Sequence, residues 1–151
     1  ITQLKNKTFL LVDDDMDDTF VFGEVLKEVD PAIGFKTAGN GQEALEKLLA
    51  DETPLPDVIF MDLNMPRMDG KQCLMELKNN ERLRHIPVMM YTTSSRSADI
   101  EESMQLGAIC FITKPADFKE LKNILSIIAD NTGNLPKALQ LLSRQSTWIL
   151  C

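Results

Sequence analysis

Five apolar segments, each followed by a segment with helical periodicity, constrain the fold of this chain more than any other feature. The apolar segments are short, rich in β-branched and aromatic residues, and bounded by Asp, Gly or Pro, which is typical of buried strands. We predict strands at Thr8–Val12, 33–38, Val58–Met61, 86–91 and 109–113. Because each strand is followed by a helix after a short loop, we expect an α/β protein with a parallel sheet covered on both faces.

The composition fits one globular domain and excludes some classes of partner. Of the 151 residues, 44% are hydrophobic and 26% are charged, and the formal net charge is −7. A chain of this length can bury a substantial core, and its negative charge argues against a nucleic-acid-binding surface. No apolar run approaches the roughly 20 residues of a membrane span, and no signal peptide is visible. We therefore expect a cytoplasmic protein whose partners include no nucleic acid and no membrane.

The cysteines support the same compartment. Cys73 and Cys110 lie in segments with apolar periodicity, and Cys151 follows at wide spacing. An odd number of unpatterned cysteines does not suggest a disulfide framework. We expect Cys73 and Cys110 to be buried thiols in a reducing environment.

Polar side chains stand at the carboxyl ends of four predicted strands. These residues are Asp13, Asp14, Asp62, Thr92 and Lys114. Ligands of open parallel sheets bind beyond these ends. If the first and third strands are neighbours, their carboxylates would lie about 4–6 Å apart, and each pair would repel by roughly 3–4 kcal/mol. A cation relieves such repulsion, and an all-oxygen site with room for water suits Mg²⁺.

The other strand-end residues indicate what the site could do. Lys114 adds a positive charge and Thr92 adds a hydroxyl, and together they could hold a phosphoryl group beside the metal. An aspartate can itself accept a phosphoryl group and form an acyl phosphate. The residues therefore predict Mg²⁺-dependent phosphorylation of an aspartate at the end of a strand. In contrast, we expect Asp15, Asp17 and Asp18 to form only a solvated acidic helix start, where the helix dipole favours aspartate.

The sequence resembles the receiver domain of two-component response regulators. The segments that carry the resemblance are LLVDDD, IFMDLNMPRMDG, MMYTTSS and FITKP, and they span most of residues 8–130 in this order. Each segment alone is weak, whereas the four together are highly specific. The resemblance implies a flavodoxin-like, doubly wound sheet of five parallel strands in the order 2-1-3-4-5.

The resemblance also implies a role for individual residues. Asp62 would be the phosphoacceptor. Asp14 and Asp62 would give carboxylate ligands to Mg²⁺, Asn64 would give its backbone carbonyl, and Asp13 would act through a water molecule. A shared metal and acceptor site of this kind is the central expectation of the resemblance.

A second set of roles concerns the switch. Thr92 would move to bond the phosphoryl oxygens, and Lys114 would pair with them. Phe111 would be the switch aromatic residue that turns inward when Thr92 moves. The family also leads us to expect a cis peptide bond between Lys114 and Pro115.

We assign residues 1–131 to the receiver domain and residues 132–151 to a tail. The sequence leaves open whether the tail is a short helix, a disordered end or a homodimerisation segment. The resemblance implies a non-enzymatic switch that receives its phosphoryl group from a histidine kinase or a histidine phosphotransfer protein. An effector protein would bind near residues 98–130. The alternatives are a receiver-like module that does not cycle phosphate and, less favoured because Asn64 replaces a second acid, an aspartyl-phosphate phosphatase.

Overall fold

The computed structural model describes residues 6–50 and 54–151, so residues 1–5 and 51–53 of the predicted receiver domain lie outside the described residues. The described strands form one sheet in the order β2-β1-β3-β4-β5-β6. The strands are β1 (Thr8–Val12), β2 (Gly34–Ala38), β3 (Val58–Met61), β4 (Val88–Thr92), β5 (Cys110–Thr113) and β6 (Ile149–Leu150). Strands β1 to β5 pair in parallel, and their order in the sheet is the predicted 2-1-3-4-5. Both predictions are therefore confirmed.

Helices follow each of the first five strands, and a further helix lies in the tail. The helices are α1 (Met16–Val29), α2 (Gly41–Leu49), α3 (Gly70–Asn79), α4 (Ser97–Gln105), α5 (Phe118–Asp130) and α6 (Leu135–Ser143). Every helix except α4 begins with an Asp or Asn side chain that accepts a hydrogen bond from the backbone N–H three residues later. Such N-caps satisfy amide groups that have no partner within the helix.

The strands divide their side chains between two hydrophobic cores. In β1, Phe9 and Leu11 belong to the core that contains residues of α1, α5 and α6. Leu10 and Val12 belong to the opposite core, which contains residues of α2 and α3. Full burial of a large apolar side chain stabilises a fold by about 1.5–3 kcal/mol. The near-continuous apolar strands are therefore explained by burial on both faces of the sheet.

The sixth strand was not predicted from the sequence. β6 pairs antiparallel with β5, so that Phe111 lies opposite Leu150 and Ile112 opposite Ile149. Thr113 extends the pairing by donating its N–H to the Trp148 carbonyl oxygen at 3.0 Å. The segment 132–151 thus contributes α6 to one core and β6 to the edge of the sheet.

Two local expectations were wrong. Cys110 is buried as expected, but its Sγ is bonded to that of Cys151 because β6 brings the two residues opposite each other. Cys73 alone is a buried free thiol, and burial raises its pKa to about 12.

The described residues contain no cis peptide bond, so the bond before Pro115 is trans. The Lys114 N–H donates a hydrogen bond to the Thr92 carbonyl oxygen at 2.7 Å, which extends the pairing between β4 and β5.

Candidate functional site

The sheet order brings the predicted site residues to one edge. Asp13 follows β1, Asp62 follows β3, Thr92 ends β4 and Lys114 follows β5. These four strands are consecutive neighbours in the sheet. Their carboxyl ends therefore converge in the position where ligands bind to doubly wound sheets.

Three carboxylates form a cluster at this edge. Asp13, Asp14 and Asp62 each offer an oxygen, and these oxygens lie within 4.8 Å of one another. Asp13 and Asp62 are buried, whereas Asp14 is exposed. Burial raises the pKa of Asp13 to about 6, although Lys114 and the Asp15 N–H donate hydrogen bonds to its carboxylate. A hard divalent cation fits this all-oxygen donor set and would offset the repulsion between the acids.

Lys114 is the positive centre of the site. Its Nζ donates hydrogen bonds to Oδ2 of Asp13 at 2.8 Å and of Asp18 at 2.7 Å, and it lies 3.5 Å from Asp62 Oδ2. Burial opposes the charge on Lys114, but the hydrogen bonds to Asp13 and Asp18, together with the negative charges of Asp62 and Asp13, outweigh it and raise the pKa of the ammonium group. Nζ also lies 5.6 Å from the centroid of the Tyr91 ring. Lys114 is therefore a fully charged ammonium at neutral pH.

Asp62 is the member of the acid cluster whose carboxylate contacts both the backbone and the Lys114 ammonium. Its Oδ1 accepts a hydrogen bond from the Leu63 N–H at 2.8 Å, and its Oδ2 faces Lys114. Its own N–H donates to the Val12 carbonyl oxygen at 2.9 Å, which fixes the backbone at the end of the sheet. The Asp62 carboxylate is thus oriented from both sides.

The predicted switch residues, Thr92 and Phe111, are both buried. Thr92 is fully buried, and its Oγ1 accepts a hydrogen bond from the Ser94 N–H at 3.5 Å. The loop after Thr92 is tied to α4 because Ser94 Oγ donates to Asp99 at 2.6 Å. Phe111 is only 1% exposed, so its side chain already lies in the core. Asn64, two residues after Asp62, is exposed, and its role as a carbonyl ligand stays a prediction.

Sequence reasoning missed Asp18. It was expected to form only a solvated helix start, but it makes the shortest hydrogen bond to Lys114. Asp17, its neighbour, is exposed to solvent. Both residues are acids in the first turn of the same helix. No sequence signal separates them, because the difference depends on how α1 is rotated against β5.

The loop between β3 and α3 is held tightly against Asp62. The Gly70 N–H donates to the Leu63 carbonyl oxygen at 2.8 Å. A Cβ atom at Gly70 would collide with the Asp62 carbonyl group and would lie 2.9 Å from the Leu63 Cα. Arg67, in the same loop, has a positive φ of 66°. Close backbone approach therefore requires glycine at position 70.

We expect Gly70→Ala to destabilise the domain by about 2 kcal/mol, because backbone atoms around Asp62 must shift to admit the methyl group. Urea unfolding measures this change. Gly133→Ala is the matched control, since no atom lies within 4 Å of a Cβ at that position. Equal stability of the two variants would show that the loop is not packed as described.

The family model of the response regulator receiver domain matches residues 9–126. The chain belongs to this family. Response regulator Rcp1 of Synechocystis sp. is 34% identical over 139 residues, which cover 87% of this chain and 95% of Rcp1. The predicted family, fold and phosphoryl-accepting function are thereby confirmed.

Solved structures agree with this assignment. The phosphorylated cyanobacterial phytochrome response regulator RcpA is 31% identical with a TM-score of 0.79, over 87% of this chain and 96% of RcpA. The Mn²⁺-bound form of Rcp1 is 33% identical with a TM-score of 0.73, over 82% of this chain and 92% of that one. Receiver domains bind a divalent metal at their acidic pocket, and this chain has the corresponding cluster at Asp13, Asp14 and Asp62.

Receiver domains also occur within larger proteins. A protein-glutamate methylesterase/protein-glutamine glutaminase of Methanococcoides burtonii is 35% identical over 128 residues, which cover 83% of this chain but 35% of that protein. Rcp1, by contrast, is matched over nearly its whole length. Within residues 6–50 and 54–151, no helix is both long and apolar enough to span a membrane.

Proposed function

We propose that Asp62 is the residue that accepts the phosphoryl group. The observation that carries the proposal is the position of its buried carboxylate, which lies in the acid cluster and 3.5 Å from the Lys114 ammonium. Asp13, Asp14 and Asp62, together with the Asn64 carbonyl, would hold Mg²⁺. When bound, this ion would offset negative charge on the acids and on the phosphoryl oxygens.

In the transfer step, Asp62 accepts the phosphoryl group from a histidine of the donor protein. An oxygen of Asp62 forms a bond to phosphorus while the bond from phosphorus to the donor histidine nitrogen breaks. The nitrogen keeps the bonding electron pair, and the product is an acyl phosphate on Asp62. The Lys114 ammonium would attract the phosphoryl oxygens. Thr92 would donate its hydroxyl hydrogen to them after its side chain rotates towards Asp62.

Intact mass after incubation with a small acyl-phosphate donor tests the proposal. With Mg²⁺, we expect one added phosphoryl group, and with EDTA we expect none. A folded protein that binds Mg²⁺ but takes up neither a phosphoryl group nor its analogue beryllofluoride would contradict the proposal. That result would instead favour a receiver-like module that does not cycle phosphate.

Lys114→Ala is expected to accept the phosphoryl group but to fail to switch, because the charge that would pair with the phosphoryl oxygens is removed. Trp148, the only tryptophan, offers a readout, since its carbonyl oxygen accepts the Thr113 N–H next to Lys114. We expect beryllofluoride to change its fluorescence in the wild type and in Lys119→Ala, an exposed lysine control. A wild-type response in Lys114→Ala would count against the role of Lys114.

We propose that the output is a protein–protein interaction at residues 98–130. The β6 pairing modifies this expectation, because the edge of β5 within that region is already covered. Trp148 and Leu150 remain exposed there, at 58% and 47%. An effector would therefore contact β6 as well. The alternative is that this surface binds a second copy of the chain. Light scattering of the phosphorylated protein would reveal such a homodimer.

We propose a non-enzymatic cytoplasmic switch. The alignment to Rcp1, which covers 95% of the length of Rcp1, supports this proposal. The donor would be a histidine kinase or a histidine phosphotransfer protein. Since RcpA is a phytochrome response regulator, a phytochrome-type histidine kinase is the first donor to test. Hydrolysis of a free phosphoester would favour the phosphatase alternative.

A further inference from the structure

We propose that Asp18 is a positioning residue that competes with a phosphoryl group on Asp62 for the Lys114 ammonium. The inference rests on the proposed function of Asp62 and goes beyond it, because it assigns a role to a residue outside the acid cluster. Asp18 would set how readily Lys114 turns from α1 towards the phosphorylated acid.

Lys114 lies closer to Asp18 than to the proposed phosphoacceptor. Its Nζ lies 2.7 Å from Asp18 Oδ2 but 3.5 Å from Asp62 Oδ2. An ammonium group has three N–H donors. Asp13, Asp18 and Asp62 provide three acceptors, and phosphorylation converts the Asp62 carboxylate itself. Asp13 and Asp18 therefore remain as the acceptors that compete with the phosphoryl oxygens for Nζ.

Of these two acceptors, Asp18 is the one that can more readily be exchanged. Asp13 and Asp62 belong to the carboxylate cluster, whereas Asp18 does not. In the part of the chain that the structure describes, Lys114 is the only hydrogen-bond partner of the Asp18 carboxylate. The Asp18 side chain is 40% exposed, compared with 0% for Asp13, so water can replace Lys114 as its partner.

The backbone holds Asp18 in place for this role. Its N–H donates to Oδ1 of Asp15, the N-cap of α1, at 3.0 Å. The Asp15 N–H in turn donates to Asp13 Oδ1 at 2.9 Å. The first turn of α1 is therefore attached to the acid cluster itself, and the Asp18 carboxylate faces Lys114 across the site.

Beryllofluoride, a phosphoryl-group analogue, provides the test. We expect Asp18→Asn to bind it more tightly than the wild type in the presence of Mg²⁺, by roughly two- to fivefold, the range expected when a partly exposed ion pair is lost. Fluorine NMR of the bound analogue measures the affinity. Asp18→Glu, which keeps a carboxylate within reach of Lys114, should restore the wild-type value.

Two controls separate positioning from a general effect of charge. Asp17→Asn removes the same charge from the adjacent, exposed position and should leave the affinity unchanged. In a Lys114→Ala background, Asp18→Asn should have no further effect, because the competition requires the ammonium. Equal effects of Asp17→Asn and Asp18→Asn, or an effect that persists without Lys114, would overturn the proposal.

The outcomes for Asp18 and for Asp62 can be told apart. If the wild type binds beryllofluoride and is phosphorylated but Asp18→Asn matches it, only the role of Asp18 fails. If the wild type binds no beryllofluoride and accepts no phosphoryl group, the proposed function fails and the role of Asp18 fails with it.

Discussion

Asp62→Asn should lose phosphorylation completely while the domain stays folded. The amide has nearly the shape of the carboxylate but cannot act as the nucleophile. Its oxygen can still accept the hydrogen bond that the Leu63 N–H donates at 2.8 Å. Phosphotransfer from a histidine-phosphorylated donor, followed by intact mass, measures the loss, and circular dichroism checks the fold.

Asp14→Asn is the informative comparison, because it removes an exposed acid from the same cluster and leaves Asp62 intact. We expect this variant to be phosphorylated slowly and to recover at high Mg²⁺ concentration. Phosphorylation of Asp62→Asn at the wild-type level would show that another residue is the acceptor.

Asp13→Asn should stabilise the metal-free domain at neutral pH. Burial raises the pKa of Asp13 from 3.8 to about 6, so ionising this group costs more in the folded protein than in the unfolded chain. A shift of this size corresponds to at most about 3 kcal/mol, at about 1.4 kcal/mol per pKa unit. The gain should appear in the free energy of unfolding measured with urea in the presence of EDTA.

The pH dependence of this gain has a defined sign. The Asp13 carboxyl group binds its proton more tightly in the folded protein than in the unfolded chain. Proton binding therefore stabilises the folded wild type fully below about pH 4, and this stabilisation is lost as the pH rises through about 6. The difference between Asp13→Asn and the wild type should therefore grow over this range and then level off. Asp14→Asn, at an exposed position, should show a smaller gain. A pH-independent difference would contradict the raised pKa of Asp13.

Much of the fold and site followed from local sequence. The apolar segments before Asp13, Asp62 and Lys114 end where the chain leaves the sheet, so their polar neighbours had to meet at one edge. That reasoning needs only strand length, burial on both faces and the direction of parallel strands.

The features that sequence did not predict depend on contacts between distant segments. β6 is two residues long, too short for an alternating pattern to stand out. The pairing of Cys110 with Cys151 follows from that strand, across a sequence separation of 41 residues. Asp18 could not be separated from Asp17 because both are acids in one helical turn. In each case the tertiary arrangement decides what the local pattern leaves open.

Borohydride reduction followed by peptide mass mapping tests the central claim most directly. The reagent converts an aspartyl phosphate to homoserine and therefore marks the acceptor residue itself. After phosphorylation with Mg²⁺, we predict homoserine at position 62 and unmodified aspartate at positions 13, 14 and 18. Homoserine at any of those three positions, with Asp62 unchanged, would contradict the account.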